Sequence, residues 1–257
     1  MQGVYSGWPS GVRAAVSLSF DDAAPSQLDC AIPILNRYGL QGTFYVNPGP
    51  GQRFEKELDR WRAARRAGHE IANHTITHPC SGNFAFITPD RALENLTLEQ
   101  IEADIAAASA RLRELIPGIG AFSFAYPCGQ TYVGRGARRQ SYVPVVARHF
   151  TVARGVGESA NDPRICDLHC LSSWMVQHLS GEELVAMLEP ALAAGHWAIF
   201  CFHGIGGDHI PVDAAAFEHL VRYLAQRRES VWTDTVQRIG EYVAKRQHLE
   251  GTAAAGA

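Results

Sequence analysis

Short apolar runs that each stop at a polar or charged residue and give way to a helical pattern recur along this chain. Residues 16–22, VSLSFDD, set the type: Val16, Leu18 and Phe20 read as a buried strand, and the run ends in two adjacent carboxylates before the Ala23-Ala24-Pro25 turn. Further strands follow at 42–46 (GTFYV), 70–73, 121–126, 150–153, 196–202 and 230–233. Helical spacing fills the intervals at 26–38, 54–67, 97–115, 143–148, 181–194, 214–226 and 234–246. Pro33 reads as a kink and Gly39 as a stop, and Thr97 with Gln100 has the spacing of a capping box. Residues 156–174 show little periodicity. Strand-then-helix repetition predicts an α/β fold with a parallel sheet, open or closed into a barrel. Such sheets carry their chemistry at the carboxyl ends of the strands.

The chain, at 257 residues, has no internal repeat and no linker that divides it. A formal net charge of −3 with no basic runs argues against nucleic acid or a membrane surface as partner. No apolar stretch reaches the length of a membrane span. The start, MQGVYSGWPSG, lacks a signal-peptide pattern, which predicts a cytoplasmic protein or a mature exported form without its signal. Six cysteines are scattered without a CxxC pair; most read as free thiols, with a disulfide among Cys80, Cys128 and Cys166 left open.

The polar residues at the strand ends are the candidates for chemistry. Asp21 and Asp22 close the first strand, and the plainer alternative for them is a solvated turn that caps the next helix. His74 and His78 follow the third strand at a spacing of four, so both rings can converge on one ion if the segment turns. With Asp22 they make a two-nitrogen, one-oxygen set that leaves positions open, the catalytic rather than the structural kind of metal site. The segment is not a zincin helix, because Thr75 stands where that pattern needs glutamate. His203 ends the late apolar strand before Gly204, and His209 is close enough to line the same cleft.

Taken together, SFDDA, HTITH, YPCG and the strand-terminal His203 resemble the polysaccharide deacetylase family, the NodB-homology domain of carbohydrate esterase family 4. The resemblance runs from about Val16 to Trp232 and implies a single-domain, distorted (β/α) barrel of about seven units. Residues 1–15 are then an N-terminal extension, 16–247 the catalytic domain and 248–257 a disordered tail. It implies Asp21 as catalytic base, Asp22, His74 and His78 as ligands of a divalent metal, and His203 as general acid. The backbone N–H of Cys128 would stabilise the oxyanion. Nitrogen-rich ligation favours zinc, with cobalt, nickel or another transition metal fitting the same donors.

Two departures from the family stand out. The third motif usually carries an arginine, two residues before the proline, that tethers the base; Ala125 stands there, and Tyr126-Pro127-Cys128-Gly129 resembles the variant YPYG form. Arg154, at the end of a predicted strand, is the candidate replacement. The fourth motif, an aspartate–tryptophan pair that tunes the acid, has no clear match, since Asp167 and Trp174 are wrongly spaced. Tyr126 and Trp174 remain orienting or substrate candidates, and in the loop 130–136 Tyr132 is placed to stack on a sugar and Arg135 to meet a carboxylate.

Three functions follow from this reading. The first is a metal-dependent hydrolase that removes acetyl groups from an N- or O-acetylated glycan or oligosaccharide. The second is an allantoinase-like hydrolase of a cyclic amide or imide, and the third a non-catalytic glycan- or metal-binding protein. Substrate class and oligomeric state stay open.

Overall fold

The computed structural model describes residues 5–255; residues 1–4 and 256–257, parts of the expected extension and tail, lie outside it. Eight strands build one all-parallel sheet: β1 (Ala14–Asp21), β2 (Thr43–Val46), β3 (Glu70–Asn73), β4 (Phe124–Ala125), β5 (Ala153–Arg154), β6 (Trp174–Met175), β7 (Trp197–Phe202) and β8 (Val231–Thr233). Their order is β5-β4-β3-β2-β1-β7-β6, with β8 paired to the first half of β1. The sheet curls on itself. Gly155 N–H donates to Leu171 O (2.8 Å) and Gly157 N–H to Ser173 O (2.9 Å), so the segment leading into β6 meets the opposite edge at β5. This is the expected distorted (β/α) barrel. The strand that the sequence pattern omits is β6, whose two residues are too few to show a period.

Around the sheet lie α1 (Ile32–Tyr38), α2 (Arg53–Lys56), α3 (Leu58–Arg66), α4 (Leu98–Leu115), α5 (Val143–His149), α6 (Gly181–Ala194), α7 (Ala214–Ala225) and α8 (Val236–Ala255). Thr97 and Gln100 close the capping box at α4, and Ser180 with Glu183 makes another at α6. Pro33 does not kink a helix. A π-helical turn, Gln27–Ala31, absorbs the change of geometry and leaves Pro33 in the first turn of α1, where its missing N–H has no bond to lose.

All eight residues of β1 are buried, including both serines. Ser19 Oγ donates to Phe200 O (2.7 Å) and Ser17 Oγ accepts from Trp197 Nε1 (3.1 Å), so neither polar group is stranded. Phe20 stacks on Phe44 at 4.7 Å and on Phe202 at 5.4 Å, which fixes the centre of the core. Each such ring contributes about 1.5–3 kcal/mol through burial.

Two expected boundaries need correction. Ala14 and Ala15 belong to β1, and Tyr5 and Trp8 ahead of it are buried. Trp8 Nε1 donates to Gly195 O (2.8 Å) and its ring stacks on Tyr242 at 6.0 Å, so this segment closes the amino-terminal end of the barrel as part of the domain. At the other terminus α8 continues to Ala255, helical where a disordered tail is expected from 248 onward, because alanines extend an existing helix at little cost. Among the described residues no helix is long and apolar enough to cross a membrane.

Candidate active site

Strand register brings the candidate groups together. Asp21 pairs with Tyr45, Asn73 with both Val46 and Phe124, and Ala125 with Arg154, so the ends of β1 to β5 finish at one rim. Phe20 pairs with Phe202, which delivers His203 to the same rim. The chain then turns sharply to aim side chains inward: Asp22, Thr75, His78 and Cys128 all have positive φ (71°, 64°, 51° and 53°). Non-glycine residues held in that region store strain, and such strain clusters at functional sites.

One ligand atom from each of Asp22, His74 and His78 lies within 4.8 Å of the others. Asp22 Oδ1 is 3.3 Å from His78 Nε2 and 3.6 Å from His74 Nε2. His74 Nδ1 donates to Ala125 O (2.9 Å), which fixes the tautomer and leaves the Nε2 lone pair facing the cluster. Burial holds His74 neutral, its pKa pushed down to about 4, the state in which imidazole ligates a metal. Burial also opposes charge on His78, but Asp22 and Asp21 outweigh it and raise the ring above its ordinary value. For Asp22, burial would raise the carboxyl; hydrogen bonds from His209 and His78 instead hold it well below the usual range. This donor set fits a divalent cation.

Asp21 is clamped from both oxygens. Arg154 Nη2 donates to Oδ1, and Cys201 Sγ–H donates to Oδ2 at 3.4 Å. Arg154 is fully buried, with its guanidinium carbon 4.5 Å from the centre of the Tyr45 ring. Burial would raise the Asp21 carboxyl, yet Arg154, His74 and His203 together keep it below its ordinary value. Arg154 thus occupies the place beside Asp21 for which it is the sequence candidate. Its Cα partner across the sheet is Ala125, the position where the family usually has its arginine.

His203 lies 3.9 Å from Asp22 Oδ2, and its Nδ1 is buried with no hydrogen-bond partner. Burial lowers its pKa more than Asp21 and Asp22 raise it. Among the described residues no aspartate–tryptophan pair is seen beside it: Asp167 accepts from His169 N–H, and Trp174 packs edge-on against Phe200. His209 does line the cleft, its Nε2 donating to Asp22 Oδ2 at 2.9 Å. Cys128 forms a disulfide with Cys80, two residues after His78, so the YPCG turn and the histidine loop are covalently joined.

The structure does not bring the remaining candidates to the cleft. Tyr126 is buried, with its hydroxyl donating to His169 O (2.7 Å), and Trp174 belongs to the core. The Tyr132 ring is covered by the Arg139 guanidinium at 3.5 Å, and Arg135 bonds Asn95 and Glu94 O in a separate surface hollow.

Four supporting residues escaped the sequence reading. Gln27 Nε2 donates to both Asp21 O (2.6 Å) and His203 O (3.0 Å), which ties the ends of β1 and β7 together. Asp104 accepts from Ile76 N–H (2.5 Å) and from Thr77 Oγ1, and Asn47 Nδ2 donates to His74 O (2.5 Å); both pin the histidine loop. Only Cys201 left a signal: two residues before His203, it shares that side chain's face on an alternating strand.

A curled parallel sheet whose strand ends join a carboxylate–histidine donor set to a clamped carboxylate defines an α/β barrel with a candidate active site at one rim. More particularly, the chain belongs to the polysaccharide deacetylase family, whose model matches residues 10–139, just over half of it. A solved putative polysaccharide deacetylase from Mycobacterium smegmatis superposes with a TM-score of 0.68 at 16% identity, covering 96% of this chain and 95% of that one. A family 4 acetyl xylan esterase from Clostridium thermocellum, solved with a cobalt ion, gives 0.55 at 19% identity over 87% and 89%. A gellan lyase from Bacillus sp is 28% identical over 148 residues, 58% of this chain. The chain spans about a twentieth of the length of that curated relative.

Proposed function

We propose that this chain is a metal-dependent deacetylase of an acetylated glycan or oligosaccharide. The observation that carries the reading is the convergence of Asp22, His74 and His78 beside an Asp21 clamped by Arg154. A divalent metal, zinc by its nitrogen-rich donors or cobalt or nickel on the same set, would polarise the acetyl carbonyl and acidify water when bound. Asp21, kept ionised by Arg154 and held in place by Cys201, accepts a proton from the attacking water. The Cys128 N–H donates to the developing oxyanion, and the disulfide to Cys80 keeps that turn near the histidine loop. His203, in its protonated form, hands a proton to the leaving amine or alcohol.

A cyclic-amide substrate finds less support. The cleft beside Asp22 and His78, about 670 Å³, is bordered by exposed side chains such as Arg53, Lys56 and Phe86, which suits part of a longer glycan rather than an enclosed ring. The Cys80–Cys128 disulfide supports an exported form over a cytoplasmic one, since such bonds persist in oxidising compartments.

The test is acetate release, with and without chelator, from chitooligosaccharides, acetylated xylan, peptidoglycan fragments and a small O-acetyl ester. Chelator-sensitive release from one of them is expected and separates N- from O-chemistry. No release from any of them, with metal shown to be bound, would move the reading to cyclic amides or to a non-catalytic role.

A further inference from the structure

The wall of the cleft beside the Asp22–His74–His78 cluster carries three cationic side chains. Arg53 and Lys56 project from α2, and Arg91 enters from the loop ahead of α4. None of the three makes an ion pair among the described residues, although the chain carries more acidic than basic residues, 26 against 23. Arg37, Arg60, Arg111 and Arg148, elsewhere on the surface, all reach carboxylates. Acidic groups near the three include Asp208, near Arg53, Glu55 and Glu57, which flank Lys56 in the chain, and Asp90, beside Arg91.

The same loop presents an aromatic platform. Phe86 and Phe84 are 58% and 40% exposed and stack at 5.4 Å, and the Phe86 ring lies 6.5 Å from that of His78. Its geometry is built in: Arg91 Nη1 donates to Thr77 O (3.2 Å) and Nη2 to Phe86 O (3.2 Å), which ties platform, cation and histidine loop into one unit. Exposed aromatic faces suit the apolar side of a sugar ring, and guanidinium and ammonium groups suit carboxylates. A neutral glycan would use the first and leave the second idle.

We propose that this cleft is specific for an acidic glycan, with Phe86 under a sugar ring and Arg53, Lys56 and Arg91 binding uronate-type carboxylates on residues flanking the acetylated sugar. This deepens the deacetylase reading and rests on it for the site's location. Two exposed charge pairs together are worth roughly a tenfold change in specificity.

Binding and turnover test it separately. Calorimetry with unacetylated oligogalacturonate should show binding that weakens as ionic strength rises to about 0.5 M and weakens about tenfold in Arg53→Gln/Lys56→Gln. The kcat/KM ratio for acetylated oligogalacturonate over acetylated xylooligosaccharide should favour the acidic substrate and fall about tenfold in the same variant. Equal ratios in wild type and variant, or no salt-sensitive binding of the uronate oligomer, would overturn the proposal. Tighter binding of a phosphorylated neutral oligomer would overturn the carboxylate assignment. Salt-sensitive uronate binding without acetate release from any substrate would instead remove the deacetylase reading and leave the acidic-glycan cleft standing.

Discussion

Arg154 is the residue whose removal asks most of the proposed site. It is fully buried, and the Asp21 carboxylate it clamps is 5% exposed. Replacing Arg154 with methionine keeps the stem's packing and leaves a carboxylate in the core without its cation. Breaking a buried pair from one side costs about 3–5 kcal/mol. Part of that cost is relieved if Asp21 takes up a proton, so its pKa should rise once the Arg154 cation is gone. The acid limb of the kcat/KM profile should move up with it. Misorientation of the base adds a loss that high pH does not repair, and kcat/KM should stay about 10²-fold low even on the plateau.

The sheet offers an internal rescue. Ala125 and Arg154 are register partners on adjacent parallel strands, so their side chains leave the same face. In Ala125→Arg/Arg154→Ala the cation approaches Asp21 from β4 instead of β5, with total side-chain volume conserved. This double variant should recover at least half the lost stability in urea titrations and return the acid limb toward its original position. An Arg154→Met enzyme with near-normal kcat/KM and an unmoved acid limb would refute the tether argument. A dead single variant that the swap does not improve would refute the claim that the two positions are interchangeable.

Asp21→Asn should abolish turnover while metal stays bound, and His74→Ala should lose both; metal loss in the first or stoichiometric metal in the second, read by elemental analysis, would show the roles are misassigned. His69 is fully buried, accepts from Gly42 N–H (3.1 Å) and faces Asn36 Oδ1 at 3.2 Å, and burial pushes its pKa down to about 4. Because the unfolded chain binds its proton near pH 6.5 and the folded one only near 4, its contribution is present above 6.5 and lost as pH falls to about 4, roughly 3 kcal/mol in all. Chemical denaturation of His69→Gln should show a shallower pH slope than wild type across that window, and identical slopes would contradict it. Thiol titration of the unfolded, unreduced protein should count four of six cysteines, and Cys80→Ser/Cys128→Ser should lose about 4 kcal/mol for the 48-residue separation it opens. Six reactive thiols would dispose of the disulfide.

What could be read in advance follows from where the chemistry sits in the chain. Asp21 and Asp22, the His74–His78 pair and His203 are legible because each closes a contiguous strand, and a parallel sheet gathers strand ends without further information. Arg154 is legible for the same reason: it ends a strand, and the family's usual arginine is missing. Tyr126 and Trp174 look alike in sequence to residues that line a cleft, and only three-dimensional packing shows that both are enclosed. The pairing of Cys80 with Cys128 depends on two turns of positive φ meeting, which spacing does not encode. Arg53, Lys56 and Arg91 are the furthest from legibility. In the sequence they are the polar face of an amphipathic stretch and a loop arginine, as ordinary as Arg60 or Arg62. On the proposed reading their significance lies in the ion-pair partners they lack among the described residues and in the aromatic pair beside them, and the absence of such a partner is a property of the folded surface alone. Specificity in this protein is, on the proposed reading, carried by residues that no strand-end motif marks, while the strand-end motifs say little about the glycan.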